Sequence, residues 1–144
     1  MSTSGVLDTI NTHLASVTNP TPQVVVRGEP ILLNASPTFA YWIQSHSEDF
    51  ETLGDRSTSL SVTIRCYWRL EQAQQVKEAL ELEVYNAIVS IKQKLSADAL
   101  LGGNCQYSIC GTADTGYIEQ SGISFKIVTI PFQIDVYSEE TITP

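Results

Sequence analysis

A chain of 144 residues, 42% hydrophobic and 17% charged, is long enough for one domain that buries roughly two-thirds of its unfolded surface, and too apolar for wholesale disorder. Sixteen acidic against eight basic residues leave a formal charge of -8, which opposes any grip on nucleic acid or an anionic membrane. No apolar run approaches the ~20 residues of a membrane span, the N-terminus lacks the basic and apolar regions of a secretory signal, and Cys66, Cys105 and Cys110 read as small packing residues of a reducing compartment.

The first predicted element is a helix over residues 4–17. Leu7, Ile10, Leu14 and Val17 recur at spacings of three and four and make one apolar stripe, Ser4 is placed to cap it, and Pro20 and Pro22 end it. Val24, Val25 and Val26 predict a short strand over residues 23–27, and residues 31–33 a second. Phe39, Tyr41 and Ile43 alternate with Ala40, Trp42 and Gln44, so residues 38–44 read as a third. Residues 45–58 are polar, with Glu48, Asp49, Glu51 and Asp55 among them, and read as a long loop.

The strongest strand signal follows. Leu60, Val62, Ile64, Cys66, Trp68 and Leu70 are apolar at every even position, while the odd positions carry Ser61, Thr63, Arg65, Tyr67 and Arg69. Such a strand has one dry and one wet face, and spans roughly 36 Å. A helix over residues 72–95, with Val76, Leu80, Val84, Ala87, Ile88, Ile91 and Leu95 on one face, has about the same length and is expected to lie along the dry face. Ser96 and Asp98 begin a short helical turn that Gly102-Gly103 ends. Residues 105–111 read as a strand, residues 112–116 as a turn and residues 117–120 as a hairpin arm. The last strand, over residues 123–137, changes phase: Ile123, Phe125 and Ile127 are odd, whereas Val128, Ile130, Phe132, Ile134 and Val136 are even. A bulge near Ile127-Val128 is expected to reset the faces, with Pro131 at an edge or close to the bulge. Residues 138–144 read as a polar tail.

No catalytic constellation emerges. His46 stands in the acidic segment, but carboxylate-rich loops are usually just solvated. The Cys105 and Cys110 spacing suits neither a CxxC redox pair nor a zinc knuckle. Gly102-Gly103 lacks the surroundings of a phosphate loop. Asp114-Thr115-Gly116 matches half of an aspartic-protease pair, a chemistry that needs two facing aspartates. No metal and no cofactor is expected, and the chain does not read as an enzyme. Arg65, Tyr67 and Arg69 on the wet face read best as part of a subunit contact, since Tyr and Arg are enriched in interfaces.

The order of parts resembles the tail terminator, or tail completion, proteins of long-tailed bacteriophages. The likeness runs over nearly the whole chain: an N-terminal helix, a proline-marked segment, a strand ending near Gln44, and a long alternating strand ending in Tyr67-Trp68. After them come a long helix, the segment from Ser96 to Gly103 with Leu100-Leu101-Gly102-Gly103, a hairpin, and a closing strand with Ile130, Pro131, Phe132, Gln133, Ile134, Asp135 and Val136. The resemblance implies a single α+β domain over residues 1–144, with a mainly antiparallel sheet, two helices packed on one face, and a projecting β-hairpin. It implies a homohexameric ring that caps the tail tube, ends its polymerisation and joins the tail to the neck or head completion protein within the virion. DNA would pass through the lumen without specific binding, and no membrane would be involved. The acidic composition fits such a lumen. Polar projections are the contact candidates: residues 45–58 and the 111–122 hairpin, with Thr112, Asp114, Thr115 and Tyr117. Other head–tail connectors, such as a head completion or stopper protein, and a small cytoplasmic binding module share these features.

Overall fold

The computed structural model describes residues 3–30, 36–52, 55–70 and 77–139. The expected strand over residues 31–33, the start of the second helix before residue 77, the side chain of Ser4 and the tail beyond residue 139 lie outside the described residues.

The first helix, α1, is Thr3–Ala15. Val6, Ile10, Leu14 and, just past its end, Val17 are the residues it buries. Leu7 only packs against the rim of that cluster, so the stripe begins one position earlier than the spacing alone indicates. Among the described residues six strands follow, interrupted by one long helix: β1 (Val24–Arg27), β2 (Thr38–Thr52), β3 (Asp55–Arg69), α2 (Lys77–Ala97), β4 (Tyr107–Cys110), β5 (Asp114–Gln120) and β6 (Ile123–Glu139). A 3-10 turn, Leu101–Gly103, follows α2, and positive φ at Gly102 and Gly103 lets the chain reverse there.

All six strands form one sheet in the order β1-β2-β3-β6-β4, with β5 on the same flank of β6 as β4. Among the described residues only β1 and β2 run parallel; the other pairs are antiparallel. The architecture is therefore α+β with a mostly antiparallel sheet. The middle is longer than expected. Of the expected loop over residues 45–58, residues 45–52 and 55–58 are strand: β2 and β3 pair through them, from His46↔Leu60 to Thr52↔Asp55, and residues 53–54 lie outside the described residues. The last strand also runs on to Glu139, opposite Asp55. The polarity of these stretches hid strands whose backbone is held by neighbours on both sides of β3, a context that outweighs local propensity.

One face of the sheet carries the core. Leu60, Val62, Ile64, Cys66 and Trp68 of β3 line up with Val128, Ile130, Phe132, Ile134 and Val136 of β6, and with Phe39 and Tyr41 of β2. Both helices cover this face, α1 through its buried stripe and α2 through Val84, Ala87, Ile91 and Leu95. Each large side chain so buried contributes about 1.5–3 kcal/mol. The even-numbered alternation of β3 thus points to the helices, as its pattern indicates.

The phase change in β6 has a different cause from the expected bulge. β6 pairs with β3 in one unbroken register, from Phe125 opposite Arg69 to Glu139 opposite Asp55. Phe125 simply belongs to the other face, where it is buried in a second cluster with Ala40 and Tyr67, flanked by Val26, Trp42, Ile118, Ile123 and Ile127. One end of the sheet is therefore dry on both faces. The odd face of β3 is correspondingly not wet throughout, since Tyr67 is 3% exposed.

An irregularity does occur, on the sheet edge. β4 pairs Cys110 with Phe132, whereas β5 pairs Asp114 with Thr129. Three residues, 111–113, therefore oppose two, a one-residue bulge that reverses which side chains face the helices. Ser108 and Cys110 face them before it; Thr115 and Tyr117 do so after it. Pro131 sits opposite. Its carbonyl accepts a bond from Gly111 N–H at 2.8 Å. In a strand the N–H and C=O of one residue point the same way, so the donor that proline lacks faces the bulge, where no ladder bond is needed. Beyond β5, Ser121 and Gly122 make a two-residue turn with φ of 52° and 78°, the geometry that matches strand twist in a hairpin.

Candidate functional site

The outer face of the sheet, away from the helices, changes character along its length. On β3 and β6 its far part is a polar ladder. Ser59 Oγ donates to Asp135 Oδ1 at 2.7 Å and Ser61 Oγ to Gln133 Oε1 at 2.9 Å. Arg65 follows, half-buried, with Nε donating to Thr129 Oγ1 at 3.1 Å and its guanidinium 5.3 Å from the Trp42 ring centroid. These contacts hold a normally mobile cation flat on the sheet, in the stacked geometry that favours Arg over Lys.

Of the three residues expected to form a wet contact face, Arg69 is exposed and Arg65 half-buried, whereas Tyr67 is buried. Tyr67 lies in the second cluster, and burial raises its phenol pKa above the ordinary range while Arg65 acts in the opposite direction. Its ring supports the fold and is closed to a partner. The other candidates lie on the edge. Thr112 is in the bulge; Asp114, Thr115 and Tyr117 are on β5; all four are exposed. The fold thus splits the seven candidates between the outer face and the β5 edge, which share β6 as their common neighbour.

Tyr117 belongs to a cluster that the sequence reading missed. Lys126, directly opposite it on β6, is 6% exposed. Its Nζ donates to Tyr117 Oη at 3.3 Å, stands 4.4 Å from the Tyr117 ring centroid, and reaches Glu81 of α2 at 3.6 Å. A signal was available: Lys126 has the same parity as Val128 and Ile130, which places its stem under α2. Trp68, opposite Lys126 on β3, is also buried, and no described residue accepts from its Nε1.

Two polar junctions fix α1. Arg27 donates to Asp8 and, through Nε, to Tyr41 Oη at 3.0 Å; Tyr41 Oη donates in turn to Asn11 Oδ1 at 3.1 Å. The Asp8 carboxylate and the Tyr41 hydroxyl hold the Arg27 guanidinium in its charged form, raising its pKa further. At the other end, His13 Nε2 lies 2.8 Å from Asp98 Oδ2, while Asp98 Oδ1 accepts Gly102 N–H at 3.0 Å. The Gly102 N–H, followed by His13, lowers the Asp98 carboxyl pKa. Asp98 thus ties the glycine turn to α1; it does not start a helix, as α2 continues to Ala97.

Burial dominates the cysteines. Cys66 and Cys105 are raised above the ordinary thiol range, and Cys110 is pushed up to about 11. They stay protonated near neutrality, which suits packing and not nucleophilic work. Among the described residues no three His, Cys, Asp or Glu side chains converge to hold a metal ion, and no helix is long and apolar enough to cross a membrane. Neither any protein-family model nor any curated protein matches this chain.

Proposed function

We propose that this chain is a structural subunit of the neck of a long-tailed bacteriophage. In this reading it is a tail-terminator-like protein that assembles with itself, as a hexameric ring, on the end of the tail tube. The observation that carries the proposal is architectural. The element order, the mostly antiparallel sheet and the placement of both helices on one face accord with what the sequence resemblance implies. The protein would act through surfaces, without catalysis or a cofactor. Its partners would be other copies of itself, the tail tube protein, and the neck or head completion protein.

The formal charge of -8 supports a lumen that repels phosphates and lets the duplex slide without specific binding. The direct test is to purify the chain, measure its mass by light scattering, and add it to tail tubes growing in vitro. The expected result is a six-fold ring that stops tube growth at the capped end. A chain that leaves tube length unchanged and binds no tube overturns the proposal.

A further inference from the structure

We propose that residues 107–120 are a docking edge for β1 of a second copy of this chain, so that the sheets of neighbouring subunits join head to tail. This rests on the ring reading and names the seam.

The backbone supplies the first argument. The two-residue turn at Ser121-Gly122 makes Gln120 and Ile123 the hydrogen-bonded pair that closes the hairpin. Alternate residues of β5, Ile118, Gly116 and Asp114, then also bond inward, and Thr115, Tyr117 and Glu119 direct their N–H and C=O groups outward. The β6 side agrees, since Ser124 accepts from Leu70 N–H and so faces β3, not β5. Among the described residues neither β4 nor β5 has a strand neighbour other than β6. Sheet edges are commonly protected by lysine, proline or a very short strand. Residues 107–120 contain no Lys, Arg or Pro; the shortness of β4, four residues, and the bulge at 111–113 are what protect this stretch, and β5 beyond the bulge has neither.

Exposed apolar side chains flank this edge on both faces. Tyr107 and Ile109 are 49% and 51% exposed on the outer face, and Tyr117 is 63% exposed on the helix face. Tyr85, also 63% exposed, stands one helical turn from Glu81, on the flank of α2 that meets Lys126. Together they offer on the order of 400 Å² of contact area, about half of the ~800 Å² that each partner of a stable complex covers. The paired strand backbone and rim would supply the rest.

Charge and shape select the occupant. The edge carries Asp114 and Glu119 and no base, so pairing it with its own copy doubles its negative charge with nothing to offset it. β1, the opposite edge of the sheet among the described residues, is four residues long and ends in Arg27, whose guanidinium is half exposed and already balanced by Asp8, so this edge adds no net negative charge to the contact; Val24 is also exposed. It is bounded by Pro22 and Pro30, which fits a strand that is added and not extended. Joining two different edges is a heterologous contact, the kind that closes a ring.

The test is light scattering over a protein dilution series, with hydrogen exchange read on peptides covering residues 23–28 and 113–120. For the wild type, both peptides are expected to gain protection as the assembly forms. Thr115→Pro removes an outward donor, and Ile109→Lys places a charge on the edge; each is expected to raise the dissociation constant by about tenfold or more with the circular dichroism spectrum unchanged. An assembly that ignores both variants, or that protects residues 113–120 without residues 23–28, overturns this inference and leaves the ring reading standing. A wild type that stays monomeric at every concentration overturns both.

Discussion

Truncating Phe125 tests whether the outer face is dry at this end of the sheet. Phe125 is 1% exposed and shares its cluster with Ala40 and Tyr67. Phe→Ala in a packed core costs about 3–5 kcal/mol, partly for lost transfer energy and partly for the cavity left behind. Here the neighbours Ile118, Ile123 and Ile127 are only half-buried and can settle into the gap, so the lower figure, about 3 kcal/mol, is expected for Phe125→Ala. For a chain of this size that lowers the melting temperature by roughly 10 °C. The control is Leu82→Ala on the outward side of α2, where Leu82 is 61% exposed and the change is expected within about 0.5 kcal/mol. Both variants should be followed by far-ultraviolet circular dichroism, in thermal and urea denaturation, at one fixed protein concentration, because self-association adds to apparent stability. If Phe125→Ala melts within about 2 °C of the Leu82→Ala control, the outer face is wet there and the second cluster contributes nothing.

Three further outcomes follow from contacts already described. Lys126→Met removes a buried cation but keeps its volume, so stability should stay level or rise, whereas Glu81→Gln, which leaves the lysine without its carboxylate, should cost up to about 1 kcal/mol; a large loss in Lys126→Met, measured by urea unfolding, would mean that the ion pair itself holds α2 down. Asp98 has its pKa lowered in the folded chain, so its contribution is present above the unfolded value of about 4 and disappears as pH falls through the folded value. Melting temperatures measured from pH 6 down to about 2 should therefore converge for wild type and Asp98→Asn at the acid end; a constant gap would contradict the pairing. In Gly111→Ala the new Cβ would lie 2.8 Å from Pro131 Cγ, against 3.8 Å from Ile127 Cγ1 in Gly116→Ala. The first should cost about 1–3 kcal/mol and the second little, and equal melting temperatures would refute the close approach at the bulge.

The sequence shows where one face is dry and the other polar. From Leu60 to Trp68 every even position is buried, and α2 lies on that side because its apolar residues keep one face. Two kinds of structure escape such a reading. Residues 45–52 and 55–58 are polar, so nothing local marks them as strands; the first pair with β3, and the second, within β3, are held by β2 on one side and β6 on the other. In β6 the odd and even runs each look like half of an interrupted strand, because alternation describes one face and cannot report a second dry face beyond it. The same blindness made Tyr67 a surface residue. Lys126 was legible by parity alone, but its partners Glu81 and Tyr117 come from elements that only the fold brings together. Thr112, Asp114 and Thr115 read as turn chemistry and Tyr117 as the start of a hairpin arm, yet their place on a sheet edge depends on β6.

The bulge at residues 111–113 also sets a rule of length for this edge. Three residues there face two of β6, so removing one of them leaves a regular strand in which Tyr117 still meets Lys126 and Ile118 still meets the cluster around Phe125. Removing two leaves the edge one residue short, so the chain after it must slip or turn over. Single deletions at this point should therefore fold and double deletions should not, with the bulge acting as one spare residue stored in the edge.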